Sequence, residues 1–113
     1  MAGDPLLKVQ LHGAEATFML GAGDDVETVE NVDVEVTFAD GSRWGATVLS
    51  LAEIGRIMDR WEATGEGLGG SYFQCPDMII VRCGGVVAIA EMLNGLVDSG
   101  EFRSVLARID IEE

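Results

Sequence analysis

Polar and apolar residues alternate most regularly between Val32 and Phe38. The valines and Phe38 fall on one parity, whereas Asp33, Glu35 and Thr37 fall on the other. Successive side chains of a strand point to opposite faces of its sheet. The pattern therefore predicts a half-buried strand that presents its carboxylates to water.

A second alternating segment, from Arg43 to Leu49, follows after a turn. A two-residue turn at Asp40-Gly41 would place the two apolar sets on opposite faces of the hairpin. A three-residue loop, Ala39-Asp40-Gly41 with Gly41 in the left-handed conformation, places both sets on one face. This loop predicts three cross-strand pairs, which are Val36 with Trp44, Val34 with Ala46 and Val32 with Val48.

Looser alternation at the start of the chain predicts an N-terminal hairpin of 6–11 and 14–20 with a turn at His12-Gly13. The acidic segment that follows, from Gly21, reads as a loop. Its carboxylates lack the alternating spacing and central glycine of an EF-hand, so the sequence predicts a solvated loop and no calcium site.

The run Met78–Val81 contains no polar residue and lies between Pro76-Asp77 and Gly84-Gly85. A short apolar run with two isoleucines and a valine, bounded by turn residues, favours a strand covered on both faces. We therefore expect this strand in the middle of the sheet. Tyr72–Cys75 is expected to form a short strand before it, joined by a type I turn with Pro76 at its second position.

Two segments have helical periodicity. The first is expected from Leu51 to Ala63, with Ser50 and Glu53 as a reciprocal capping box and Gly65 as its end. The second is expected from Val86 to Asp98, with Gly100 as its stop. Residues 101–109 fit either a helical stripe or a short helical turn followed by an extended tail.

These elements predict an α+β fold in which residues 1–113 form a single domain. We expect a mainly antiparallel sheet of about five or six strands with two helices packed on one face. Residues 1–5 and 110–113 are expected to be frayed.

The chain is strongly acidic. It has 20 Asp and Glu against 7 Lys and Arg, a formal net charge of −13. This charge argues against binding to nucleic acid or to an anionic membrane surface, because phosphates would be repelled. It favours capture of a basic protein partner, with solubility alone as the other explanation.

The N-terminus places Asp4 and Lys8 where a secretory signal peptide needs an apolar core, so a cytoplasmic location is expected. Cys75 and Cys83 are then expected to be reduced thiols.

Motifs for chemistry are few. Gly65–Gly70 matches G-x-G-x-x-G, but it would follow a helix and precede a strand, which is the reverse of the dinucleotide-binding order. The single histidine, His12, and the two cysteines match no zinc-ligand spacing. The sequence therefore assigns no catalytic residue, no cofactor and no metal, and it favours a protein that is not an enzyme.

Several short segments of the chain are similar to a group of known proteins. They are Phe38–Trp44, the capped helix, Gly70–Phe73, Asp77–Val81 and Gly100–Phe102. In these segments the sequence resembles small acidic bacterial proteins whose size and charge are similar to those of immunity proteins in polymorphic-toxin and contact-dependent inhibition systems. The resemblance implies a protein that binds and blocks a cognate toxin.

Three hypotheses follow. The first is an inhibitor that presents carboxylates to a basic toxin, the candidate residues being Asp24, Asp25, Glu27, Asp33 and Glu35. The second is a small-molecule-binding protein or enzyme with a pocket between the first helix and the sheet, near Trp44, Trp61, Tyr72 and Cys75. The third is a homo-oligomer in which a sheet edge pairs with its own copy.

Overall fold

The computed structural model describes residues 6–109, which adopt the predicted α+β fold with one open sheet. The segments 1–5 and 110–113, expected to be frayed, lie outside the described residues. Within 6–109 the elements are β1 (Leu6–Leu11), β2 (Ala14–Met19), β3 (Asn31–Phe38), β4 (Arg43–Ser50), α1 (Leu51–Thr64), α2 (Glu66–Gly70), β5 (Met78–Val81), α3 (Val86–Ser99), α4 (Phe102–Val105) and β6 (Ala107–Arg108).

The sheet is mainly antiparallel, as predicted. Strands β1 to β4 form an antiparallel meander in chain order. The outer edge of β4 is shared by two strands: β5 pairs in parallel with 47–50, and β6 pairs antiparallel with 44–45. The C-terminal segment is therefore a short helix followed by an extended segment, the second of the two alternatives.

The predicted hairpin register of β3 and β4 is confirmed. Val36 pairs with Trp44, and the other two predicted pairs are present. Gly41 has a φ of +88° and donates its N–H to the carbonyl of Phe38 at 2.9 Å. The left-handed conformation that the three-residue loop requires is thus provided by the one residue that adopts it without a Cβ penalty.

The same loop makes a testable prediction about ionisation. Hydrogen bonds to Asp40 Oδ1 from the Ser42 hydroxyl at 2.7 Å and then from its N–H at 2.8 Å lower the pKa of Asp40. A carboxyl group with a lowered pKa stabilises the fold at pH values above its unfolded pKa, and the contribution is lost as the pH falls through the folded value. We expect Ser42→Ala to raise the pKa of Asp40 towards its ordinary value in an NMR titration of the carboxyl carbon. Ser42→Thr, which keeps the hydroxyl, should preserve the low pKa, and an unchanged pKa in Ser42→Ala would contradict this account.

The core lies on one face of the sheet. It is made by the alternate apolar residues of β1 to β4, by the inner face of α3 and by Phe102 of α4. Phe102 packs against Phe38 and Trp44, with ring centroids 4.7 and 5.1 Å apart. The buried α3 residues are Val86, Ile89, Ala90 and Leu93.

Helices α3 and α4 pack on this face of the sheet, whereas α1 does not. Leu51 is 59% exposed, and Ile57 is buried outside the core cluster. Helix α1 begins directly after β4 and forms the crossover to the parallel strand β5. Its apolar stripe is partly covered by the segment that follows it, where Trp61 stacks on Phe73 at 5.4 Å. Periodicity identified an apolar face correctly but could not show what would pack on it.

The prediction of a central, doubly covered strand at Met78–Val81 is wrong. Within the described residues β5 pairs only with β4 and lies at the edge of the sheet. Ile79 and Val81 pack against the core, whereas Ile80 is 48% exposed. An apolar run favours a buried strand, but it shows neither that both faces are covered nor that another strand lies beside it.

The capping box at the start of α1 is only half formed. Ser50 Oγ accepts the N–H of Glu53 at 3.0 Å, as predicted. The Ser50 N–H, however, donates to the carbonyl of Glu30 at 2.9 Å, and the Glu53 carboxylate pairs with Arg56. A backbone carbonyl on a neighbouring loop thus replaces the side chain that the local motif would have used.

The connection from α1 to β5 also differs from expectation. Residues 72–75 form no strand, and Asp77 has a φ of +56°, which a type I turn excludes. The glycine-rich segment 65–70 is a compact turn in which Gly67, Leu68 and Gly69 are left-handed. It links a helix to a strand, the order that argued against a dinucleotide site.

Candidate functional site

Two of the predicted partner-binding carboxylates lie on the sheet face opposite the core. We call this surface the open face and define it by Glu15, Thr17, Asp33, Glu35 and Thr47 of the three neighbouring strands β2, β3 and β4. Asp33 is exposed and Glu35 half-buried. Their orientation away from the core follows from the alternation in β3, as predicted.

Both carboxylates already have partners within the protein. The Thr47 hydroxyl donates to Asp33 Oδ1 at 2.7 Å, and Arg43 donates to Glu35 Oε2 at 3.1 Å. The threonine fixes the orientation of Asp33 without neutralising it, whereas the arginine offsets the charge of Glu35. Asp33 is therefore the stronger attraction for an incoming cation.

A shallow groove of about 240 Å³ crosses this face. Its lining includes a further acidic residue, Asp77, whose backbone carbonyl accepts the N–H of Thr47 at 2.9 Å and so lies beside β4. The apolar residues Met19 and Ile109 also line the groove. The groove thus combines negative charge with apolar surface.

Sequence reasoning missed Asp77 and Ile109. Ile109 reaches the open face because Gly45 has no side chain: a Cβ there would lie 2.7 Å from Ile109 Cδ1. A glycine within an otherwise alternating strand often marks the close approach of another segment. Gly45 was therefore a signal in the sequence that another segment contacts β4 here. The position of Asp77 depends on the parallel pairing of β5, which the sequence did not predict.

The other three predicted carboxylates, Asp24, Asp25 and Glu27, lie on the loop between β2 and β3 and are exposed. Asp24 accepts the N–H of Gly21 at 2.7 Å, and Asp25 accepts that of Glu27 at 2.8 Å.

This loop is attached to the start of α3. Gly85 donates to the carbonyl of Val29 at 2.7 Å, and Val86 donates to that of Val26 at 2.8 Å. The five predicted residues therefore form two groups, one on the open face and one beside α3.

The residues of the alternative pocket lie in different surroundings. Trp44 is buried in the core against Phe102, and Trp61 stacks on Phe73. Tyr72 is 51% exposed, and Cys75 Sγ lies 3.6 Å from the Pro76 carbonyl oxygen. The two tryptophans thus belong to separate aromatic clusters, and none of the four residues lines the open-face groove.

One polar cluster was not predicted. Arg56 of α1 donates to the carboxylates of Glu53 and Glu30, and Ser50 Oγ donates to Glu30 at 3.1 Å. The hydrogen bonds to Glu53 and then to Glu30 raise the pKa of Arg56. These contacts hold the β2–β3 loop against the start of α1, and we therefore assign a structural role to this cluster.

Other chemistry finds no support in the described part of the chain. Residues 6–109 hold no group of three or more His, Cys, Asp or Glu side chains that could bind a metal ion. Cys75 and Cys83 are free thiols, and the ring of His12 contacts Asp98 at 3.0 Å on the surface. None of the helices described is long and apolar enough to cross a bilayer.

No family model matches the sequence, and no significant match exists among curated proteins or solved structures.

Proposed function

We propose that this chain is a non-enzymatic protein-binding module of the immunity type, which acts in the cytoplasm and inhibits a basic cognate toxin. The observation that carries the proposal is the open-face groove, where Asp33 and Asp77 accompany the aliphatic side chains of Met19 and Ile109. The net charge of −13 and the resemblance to immunity proteins support the same class of partner.

The groove suits a lysine or arginine side chain. Such a side chain has an apolar stem, which would lie along Met19 and Ile109, and a cationic head, which would meet Asp33 and Asp77. Because Thr47 already holds Asp33 in one orientation, little side-chain entropy is lost when a cation binds to it.

The remaining negative charge acts at longer range. A strongly acidic protein attracts a basic partner before contact, which raises the association rate and makes it sensitive to salt. The exposed carboxylates Asp24, Asp25 and Glu27 contribute to this field whether or not they touch the partner.

The test is a calorimetric titration of the purified chain with the product of the adjacent gene, carried out at low and at high salt. We expect Asp33→Asn/Asp77→Asn to weaken the affinity about tenfold or more, because two interfacial charge pairs are lost. Asparagine is close to aspartate in shape and tolerates the left-handed backbone of position 77.

The matched control is Asp59→Asn/Glu62→Gln, which removes the same charge from exposed positions of α1. It should weaken binding much less than the open-face pair. Equal weakening by both variants would assign the effect to net charge alone, and an affinity that salt does not change would contradict the proposal.

A further inference from the structure

A groove of about 640 Å³ lies away from the open face, at the start of α3. We call it the Val87 groove and define it by Leu7, Val26, Val87, Glu27 and Glu91. Val87 is 73% exposed and Val26 44% exposed, so the groove presents apolar side chains to water. Exposed apolar surface of this kind, with a charged rim, is typical of protein-interaction sites.

The groove owes its shape to backbone contacts. The β2–β3 loop is fixed against the start of α3 by the hydrogen bonds from Gly85 and Val86. A Cβ at Gly85 would lie 2.6 Å from the Glu27 carbonyl oxygen, so the two segments are in close contact. Val26 and Val87 are therefore held on either side of a groove that exists before any partner binds.

The lining indicates the shape of the occupant. Val87, Ala88 and Glu91 recur at helical spacing along the outer face of α3, and Gly84 lies just before this helix. A helix laid along this face would place its own apolar residues, at i, i+3, i+4 and i+7, against Val87 and Val26.

Charge complementarity indicates its chemistry. The polar side chains of the groove are the carboxylates Glu27 and Glu91. A second copy of this chain would bring like charges together, since each copy has a net charge of −13. A basic helix would instead place lysine or arginine beside each carboxylate.

We infer that the Val87 groove binds an amphipathic, basic helix of a partner protein, with an aliphatic side chain seated between Val26 and Val87. The inference rests on the proposed function for the identity of the partner, and it adds a docking site remote from the open face. Glu27, predicted from the sequence as a partner-binding residue, then acts at this groove.

The experiment uses a synthetic helical peptide of leucine and lysine, with its leucines on one face, and an isotopically labelled sample of the whole chain. We expect amide shifts at Val26, Val87 and Glu91 on titration. We also expect Val87→Ser to weaken binding roughly five- to tenfold, because one buried aliphatic contact is lost. Val105→Ser, at an exposed valine of α4, is the matched control and should leave the affinity unchanged.

A leucine and glutamate peptide of the same pattern should not bind. Shifts confined to the open face, equal effects of the two serine variants, or absence of peptide binding would each overturn the inference. Concentration-dependent shifts at the groove without peptide would also overturn it, because a second copy would then be the occupant.

The two proposals can fail separately. If the peptide does not bind but Asp33→Asn/Asp77→Asn still weakens the binding of the adjacent-gene product, the proposed function stands without this groove. If the peptide binds there and that product does not bind, the proposed function falls and the docking site remains.

Discussion

Replacing Gly70 with alanine is expected to lower the free energy of unfolding by about 2–4 kcal/mol. Gly70 has a φ of +79°, and a Cβ built on it would lie 2.3 Å from the Met58 carbonyl oxygen and 2.9 Å from the Glu62 N. The new methyl group meets backbone atoms of α1, which cannot rotate away as a side chain could. The loss therefore combines left-handed strain with displacement of the helix, and chemical denaturation with urea measures it.

Gly69→Ala is the matched control. Gly69 also has a positive φ, +72°, but no atom lies within 4 Å of its hypothetical Cβ. This variant should lose only the cost of the left-handed conformation, about 1–2 kcal/mol. Equal losses in the two variants would show that the close packing of 65–70 on α1 contributes nothing to stability.

Leu93→Ala is expected to destabilise the protein by about 2–5 kcal/mol, the usual range for a buried leucine that leaves a cavity. Leu93 is 0% exposed and lies on the inner face of α3, within the core cluster. The same denaturation measurement applies, and the urea dependence of the unfolding free energy should not change.

Leu51→Ala provides the comparison for the other long helix. Leu51 is 59% exposed at the first turn of α1, so its truncation should cost less than about 1 kcal/mol. A loss as large as that of Leu93→Ala would mean that α1 does cover the core, as the sequence suggested, and would contradict the arrangement of the layers.

The parts of the fold that the sequence predicted well are those set by local rules. The register of β3 and β4 followed from side-chain parity and from the geometry that Gly41 allows. The ends of α1 and α3 followed from Ser50, Gly65 and Gly100. Each of these depends on residues within a few positions of one another.

The errors concern relations between distant segments. Met78–Val81 is apolar although Ile80 is 48% exposed, and nothing in its composition distinguishes an edge strand from a central one. The amide of Ser50 is bonded to Glu30, which is remote in the chain, so the local capping motif gave an incomplete answer.

The candidate site shows the same division. The open-face position of Asp33 and Glu35 follows from alternation alone. Asp77 joins them only because β5 pairs in parallel with β4, and Ile109 only because the chain returns beside Gly45. The Val87 groove likewise depends on the contact between the β2–β3 loop and α3, which the hydrophobic periodicity of the sequence does not predict.

The shared outer edge of β4 has a consequence for synthesis of the protein. During translation, β1 to β4 leave the ribosome before either β5 or β6 has been made. The hydrogen-bonding groups along that side of the nascent sheet then have no strand to bind and can pair with another chain. This exposure ends in two steps, when 78–81 and later 107–108 emerge, so β6 completes the protection of a strand that was synthesised much earlier.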